Sequence, residues 1–94
     1  MRLPLTNNPS ETFSIEIFES VYLFKQLWNT LGFWTISISD VDNNPLVYGV
    51  KIVALTSLLR QYPNIRFNLL STTAADPGRN DLAEFILEVI DKDG

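Results

Sequence analysis

The sequence predicts a mainly β fold: a single small antiparallel β-barrel or sandwich of about six strands, with one short helix near residues 56–62. Three observations lead there. Apolar and polar residues alternate with a period of two in run after run, as strands with one buried face require. Clusters of Gly, Asn, Asp and Pro punctuate those runs as turns. The period changes once, where Leu55, Leu58, Leu59 and Tyr62 fall at helical spacing. At 94 residues the chain makes one domain with one core, which buries roughly 60–70% of the surface the unfolded chain exposes. The apolar fraction of 46% excludes a disordered chain, and the absence of cysteine excludes any disulfide support for the core.

Residues 1–10 read as an extended arm, because Pro4, Pro9, Asn7 and Asn8 oppose a helix. Such an arm is either frayed or laid across a neighbour. Residues 11–94 form the single β domain. Its first strand is 12–18, with Phe13, Ile15 and Ile17 on one face and Thr12, Ser14 and Glu16 on the other. After a short link at Glu19-Ser20, residues 21–28 form a second strand with two apolar faces: Val21, Leu23 and Leu27 alternate with Tyr22, Phe24 and Trp28. A strand of that kind is expected to be covered on both sides, by the core and by something else. A turn at Gly32 leads to 33–39, where Trp34, Ile36 and Ile38 face in. Asp40 to Pro45 is a loop. Residues 46–53 are a β-branched strand in which Gly49 marks a bulge or close backbone approach.

Thr56 or Ser57 is a suitable N-cap for the short helix, and Pro63 ends it. Ile65 to Thr72 returns to alternation, and Asp76-Pro77-Gly78 builds the next loop. The last apolar run is read as a strand over 83–90, although Leu82, Phe85, Ile86 and Val89 also keep helical spacing.

Chemistry is sparse. Without histidine or cysteine there is no Ser-His or Cys-His pair and no imidazole or thiolate zinc ligand. Glycines at 32, 49, 78 and 94 cannot form a phosphate-binding loop. The carboxylate pairs Asp40/Asp42 and Asp76/Asp81 sit in loops, where carboxylates serve as turn formers. Asp40, Asp42 and Asn44 match the start of a calcium loop, but Pro45 and Lys51 occupy the positions that need glycine and glutamate. No catalytic residue, cofactor or metal is therefore expected.

The net charge of −4 is concentrated near the end: residues 1–75 balance five basic against five acidic groups, whereas 76–94 hold two against six. An acidic end repels phosphate backbones and attracts a basic protein surface, although a solvated terminal strand explains it as well. Neither nucleic acid nor membrane is an expected partner, since no apolar run is long enough to span a bilayer and Pro4, Asn7, Asn8 and Pro9 interrupt any apolar leader.

Several stretches, in order, carry a resemblance: Pro4-Leu5-Thr6-Asn7-Asn8-Pro9 with Thr12-Phe13; Trp28-Asn29-Thr30 leading to Gly32-Phe33-Trp34-Thr35 and Ile38-Ser39-Asp40; Leu58-Leu59 with Gln61-Tyr62; and Asp76-Pro77 with Asp81-Leu82. In these the chain resembles the small baseplate plug proteins of tailed bacteriophages. Arg66-Phe67-Asn68-Leu69-Leu70 departs from the resemblance, being more polar than it leads one to expect there.

The resemblance implies a structural part of a virion tail baseplate, assembled in the host cytoplasm. That part would contact hub, tube or spike proteins, form a homo-oligomer and help close the tail lumen. Expected interface residues are Leu3, Leu5, Asn7 and Asn8 of the arm, Tyr22 and Phe24 of the two-sided strand, and Asp81, Glu84 and Glu88 of the acidic end. The alternative is a free-standing binding module that uses Trp28, Phe33 and Trp34 as a surface for carbohydrate or another small ligand.

Overall fold

The computed structural model describes residues 2–63 and 65–91. Among these residues there are six strands: β1 (Ser10–Ile17), β2 (Ser20–Asn29), β3 (Phe33–Asp40), β4 (Pro45–Lys51), β5 (Phe67–Ser71) and β6 (Leu87–Asp91). They form two antiparallel sheets, a four-stranded meander β1-β2-β3-β4 and a pair β5-β6. Neither closes on itself, so the fold is a sandwich and not a barrel.

The meander follows the period-two reading. Phe13 faces Phe24, Phe24 faces Ile38, and Ile38 faces Val47, giving an apolar row across all four strands. The β1–β2 turn is Phe18-Glu19, with φ of 50° and 70°. Two positive φ values suit the right-handed twist of a two-residue hairpin. The next turn needs Gly32 at φ +106°, and it is fixed by Leu31 N–H donating to Asn29 Oδ1 at 2.8 Å. On β4 the pairing slips between Ile36 and Ile38 and again before Ser39. Gly49, at φ +65°, lies in the first slip and donates its N–H to Ser37 Oγ at 2.9 Å. This is the bulge its position suggested.

The predicted helix near residues 56–62 does not form. Leu55 takes a left-handed conformation, φ 51°, which breaks helical continuity at the start. The following N–H groups then turn outward to β5: Thr56 to Ser71 Oγ at 2.8 Å, Leu58 to the Leu69 carbonyl at 2.9 Å, and Leu59 to Asn68 Oδ1 at 2.9 Å. Leu58 and Leu59 are buried, so the apolar spacing reported burial correctly while β5 claimed the hydrogen bonds. The last apolar run divides. Leu82–Glu84 is a 3-10 turn, and the strand begins only at Leu87.

The N-terminal arm is extended, but it is neither frayed nor free. Leu3 N–H donates to the Leu87 carbonyl at 3.0 Å, and Arg2 bridges Glu88 in antiparallel fashion, so the arm extends the small sheet beyond β6. Leu3 and Leu5 enter the core. That core joins Phe24, Trp34, Ile36 and Ile38 of the meander to Phe67, Leu69, Phe85 and Leu87 of the second layer. Phe67 packs edge-on to Tyr22, with centroids 5.0 Å apart. Each such side chain contributes roughly 1.5–3 kcal/mol through burial. The second face of β2 is not sealed: Val21 is exposed, and Leu23 and Leu27 are half-buried.

Candidate functional site

The arm and the 76–84 loop meet at one corner, and two side chains of the meander hold them there. Gln26, fully buried on β2, accepts the Thr6 N–H at 3.2 Å through Oε1 and donates through Nε2 to the carbonyls of Thr6 at 2.9 Å and Asn8 at 2.8 Å. The Thr6 hydroxyl also donates to Glu11. Trp34, fully buried on β3, donates its indole N–H to the Gly78 carbonyl at 2.8 Å. The Arg79 guanidinium lies over the same ring, 5.9 Å from its centroid, and donates to the Asn7 carbonyl at 3.1 Å. Asn7 Oδ1 in turn accepts the Ala83 N–H at 2.8 Å.

This scaffold presents carboxylates on one surface. Asp76, Asp81 and Glu84 rim a shallow groove of about 230 Å³, with Pro77 and Phe85 as its apolar wall. Asp76 Oδ1 accepts the Ala54 N–H at 2.7 Å, which ties the groove to the segment after β4. The Asp81 carboxylate folds close over Gly78, where a Cβ would meet Oδ2 at 2.7 Å. Asp81 and Glu84 are exposed. Among the described residues, no three acidic side chains converge to hold a metal ion.

The expected interface residues therefore divide. Asn7, Asp81 and Glu84 come together at this corner, with Asn8 nearby on the arm, its Oδ1 accepting the Ser10 N–H at 3.1 Å. Leu3, Leu5 and Phe24 do not belong to an accessible surface: they are core residues of the chain's own sandwich, because the arm folds back onto its own domain. Tyr22 is half-buried against Phe67. Glu88 is half-buried on β6 beside the arm, and Asp91 pairs with Arg66 at 3.8 Å. Lys92 and Asp93 of the acidic end lie outside the described residues.

Trp34 cannot serve a ligand platform, since its ring has no exposed surface and its N–H is taken. Trp28 packs edge-on against it at 5.4 Å. The calcium-like loop is an Asx turn, in which Asp40 Oδ1 accepts the N–H groups of Asp42 and Asn44, both at 2.9 Å. Those bonds, led by Asn44, hold the Asp40 carboxyl below the usual aspartate range. Sequence reasoning passed over Gln26 and the Trp34–Gly78 contact, and took Asp76 only as a turn former. For Gln26 a signal existed, as it is the one polar residue in the inward series Tyr22, Phe24, Gln26, Trp28.

With the arm, the meander and the 76–84 loop forming one unit, the decisive comparison spans all three. The family model described as cyanophage baseplate Pam3 plug gp18 matches residues 1–93. The chain belongs to this baseplate plug family. No curated protein matches the chain. Membership gives the plug-family chain a structural role in a phage tail baseplate, among other baseplate and tail proteins. No helix among the described residues is long and apolar enough to cross a membrane.

Proposed function

We propose that this protein is a central plug of the baseplate, contacting the hub, tube or spike and helping to close the tail lumen until infection. It acts by shape and contact, without catalysis or cofactor, as a homo-oligomer in a particle assembled in the host cytoplasm. Its partner-facing residues are Asn7, Asn8, Asp81, Glu84 and Glu88. The observation that supports the reading is the family match along residues 1–93, which includes the arm and the acidic corner as well as the sheets. Three carboxylates around one groove favour a basic protein surface as the partner and disfavour nucleic acid.

Mass spectrometry of purified tails tests this reading. The chain should be present in wild-type tails, and Asp81→Lys/Glu84→Lys should keep its thermal unfolding midpoint while its copy number in tails falls several-fold. Tails that lack the wild-type chain would overturn the plug role. Tails that take up the charge-reversed variant normally would overturn the acidic contact.

A further inference from the structure

We propose that β1 is a docking edge for β1 of a second copy, paired antiparallel about Ser14, so that two four-stranded sheets become one across a twofold axis. The proposal rests on the homo-oligomer in the reading above and assigns it a surface.

The backbone parity of β1 carries it. Ile17 and Ser20 close the two-residue turn, so Ile17, Ile15, Phe13 and Glu11 exchange hydrogen bonds with β2. Trp28 N–H donating to the Pro9 carbonyl at 2.8 Å continues the same alternation. The N–H and C=O groups of Thr12, Ser14 and Glu16 therefore face away from β2. Sheet order places β1 at the end, with no described strand beyond it. The Ser10 N–H, which has the same outward parity, is already taken by Asn8 Oδ1.

β1 also lacks the devices that normally protect an edge, having no proline, lysine, glycine or bulge. The opposite edge, β4, has all four: Pro45, Lys51, Gly49 and a slipped register. An edge left open beside one that is closed off is a joining surface.

The strand is complementary to itself. Centring on Ser14 pairs Thr12 with Glu16 of the second copy and brings every free outward group into the ladder. A register centred on Phe13 would instead require the Ser10 N–H. On the inner face, Phe13 meets Ile15 of the second copy. Both are half-buried here, and the row Tyr22-Ile15 then continues into Phe13-Phe24 of the neighbour. On the outer face, Lys25 lies opposite Thr12 on β2, so Glu16 of the second copy falls on the far side of that threonine. Two strand spacings, roughly 10 Å, separate their backbones, which these long side chains can span. The contact occurs twice by symmetry.

Sedimentation equilibrium of the purified chain at roughly 0.1 mM, suited to a small interface, tests the proposal. Wild type should be dimeric. Ser14→Pro should be monomeric, with an unchanged midpoint when both are unfolded at a concentration low enough for wild type to be monomeric, because the N–H it removes is outside the internal ladder. Glu16→Lys and Lys25→Glu should each weaken dimerisation by roughly tenfold, and the double variant should restore it. The charge pair decides the matter even where the proline variant does not fold. A monomeric wild type, a dimeric Ser14→Pro, or a double variant that stays monomeric would overturn self-pairing. A monomeric wild type whose Ser14→Pro variant is excluded from tails would assign the edge to a strand of another protein, and would overturn self-pairing too. No sedimentation readout depends on tail composition, so failure of the plug role and failure of the pairing are separately visible.

Discussion

The side-chain amide of Gln26 treats Thr6 as a neighbouring strand would, accepting its N–H at 3.2 Å and donating to its carbonyl at 2.9 Å. One residue of β2 thereby satisfies the arm's backbone at the point where the arm crosses the core. Gln26→Leu removes those partners and leaves Thr6 and Asn8 groups unpaired. The expected loss is about 1–3 kcal/mol, read by urea unfolding, with faster proteolysis of the arm. Unchanged stability would mean that the clamp is dispensable.

Leu3 and Leu5 place the arm inside the fold. Leu3→Ala should cost about 2–5 kcal/mol, a large share of the roughly 5–15 kcal/mol that stabilises a domain. Deleting residues 2–9 should abolish cooperative unfolding. A soluble, cooperatively folded deletion would contradict the burial of both leucines.

Trp34 anchors the 76–81 loop through a single hydrogen bond to Gly78. Trp34→Phe keeps most of the ring volume and leaves the Gly78 carbonyl without its donor. The expected cost is about 1 kcal/mol or somewhat more, and faster amide exchange should be confined to the acidic corner. Exchange spread evenly over β3 would instead indicate a core defect.

Asp40 makes the β3–β4 loop sensitive to acid. Its folded-state carboxyl is held below the ordinary range by Asn44 and Asp42, so its contribution is fully present above the ordinary aspartate value and is lost as pH falls through the depressed one. An NMR pH titration should show Asp40 titrating below an aspartate in a short peptide, with the Asp42 and Asn44 amide signals moving together with it. Asp40→Ala should abolish that coupled movement. Amides that stay fixed while Asp40 protonates would refute the Asx turn.

Much of the fold was legible because its meander obeys a period of two. Trp34, Ile36 and Ile38 point inward as their spacing requires, and Gly49 marks the bulge. The helix expected near 56–62 misled because Leu58 and Leu59 are buried for a reason that periodicity does not encode: Asn68 and Ser71, 9 and 15 residues beyond the groups they accept from, supply hydrogen bonds that an isolated helix would make internally. The arm misled because prolines and asparagines predict extension without saying against what. The acidic groups of the candidate site were readable from charge alone. Their gathering at one corner was not, since it depends on Trp34 reaching Gly78 and on Asn7 reaching Ala83, contacts 44 and 76 residues apart.

The hydrogen bond from Leu3 to Leu87 also joins the two ends of the chain, so the sandwich closes only when both are present. A chain emerging from the ribosome can zip the β1–β4 meander early, since each strand follows its neighbour. It cannot shut the sandwich until residue 87 is free to meet residue 3, and such distant pairings are slow. Until residues 3 and 87 meet, the apolar face of the meander lacks its second layer, and a partly closed chain offers neighbouring copies the kind of surface on which aggregates grow.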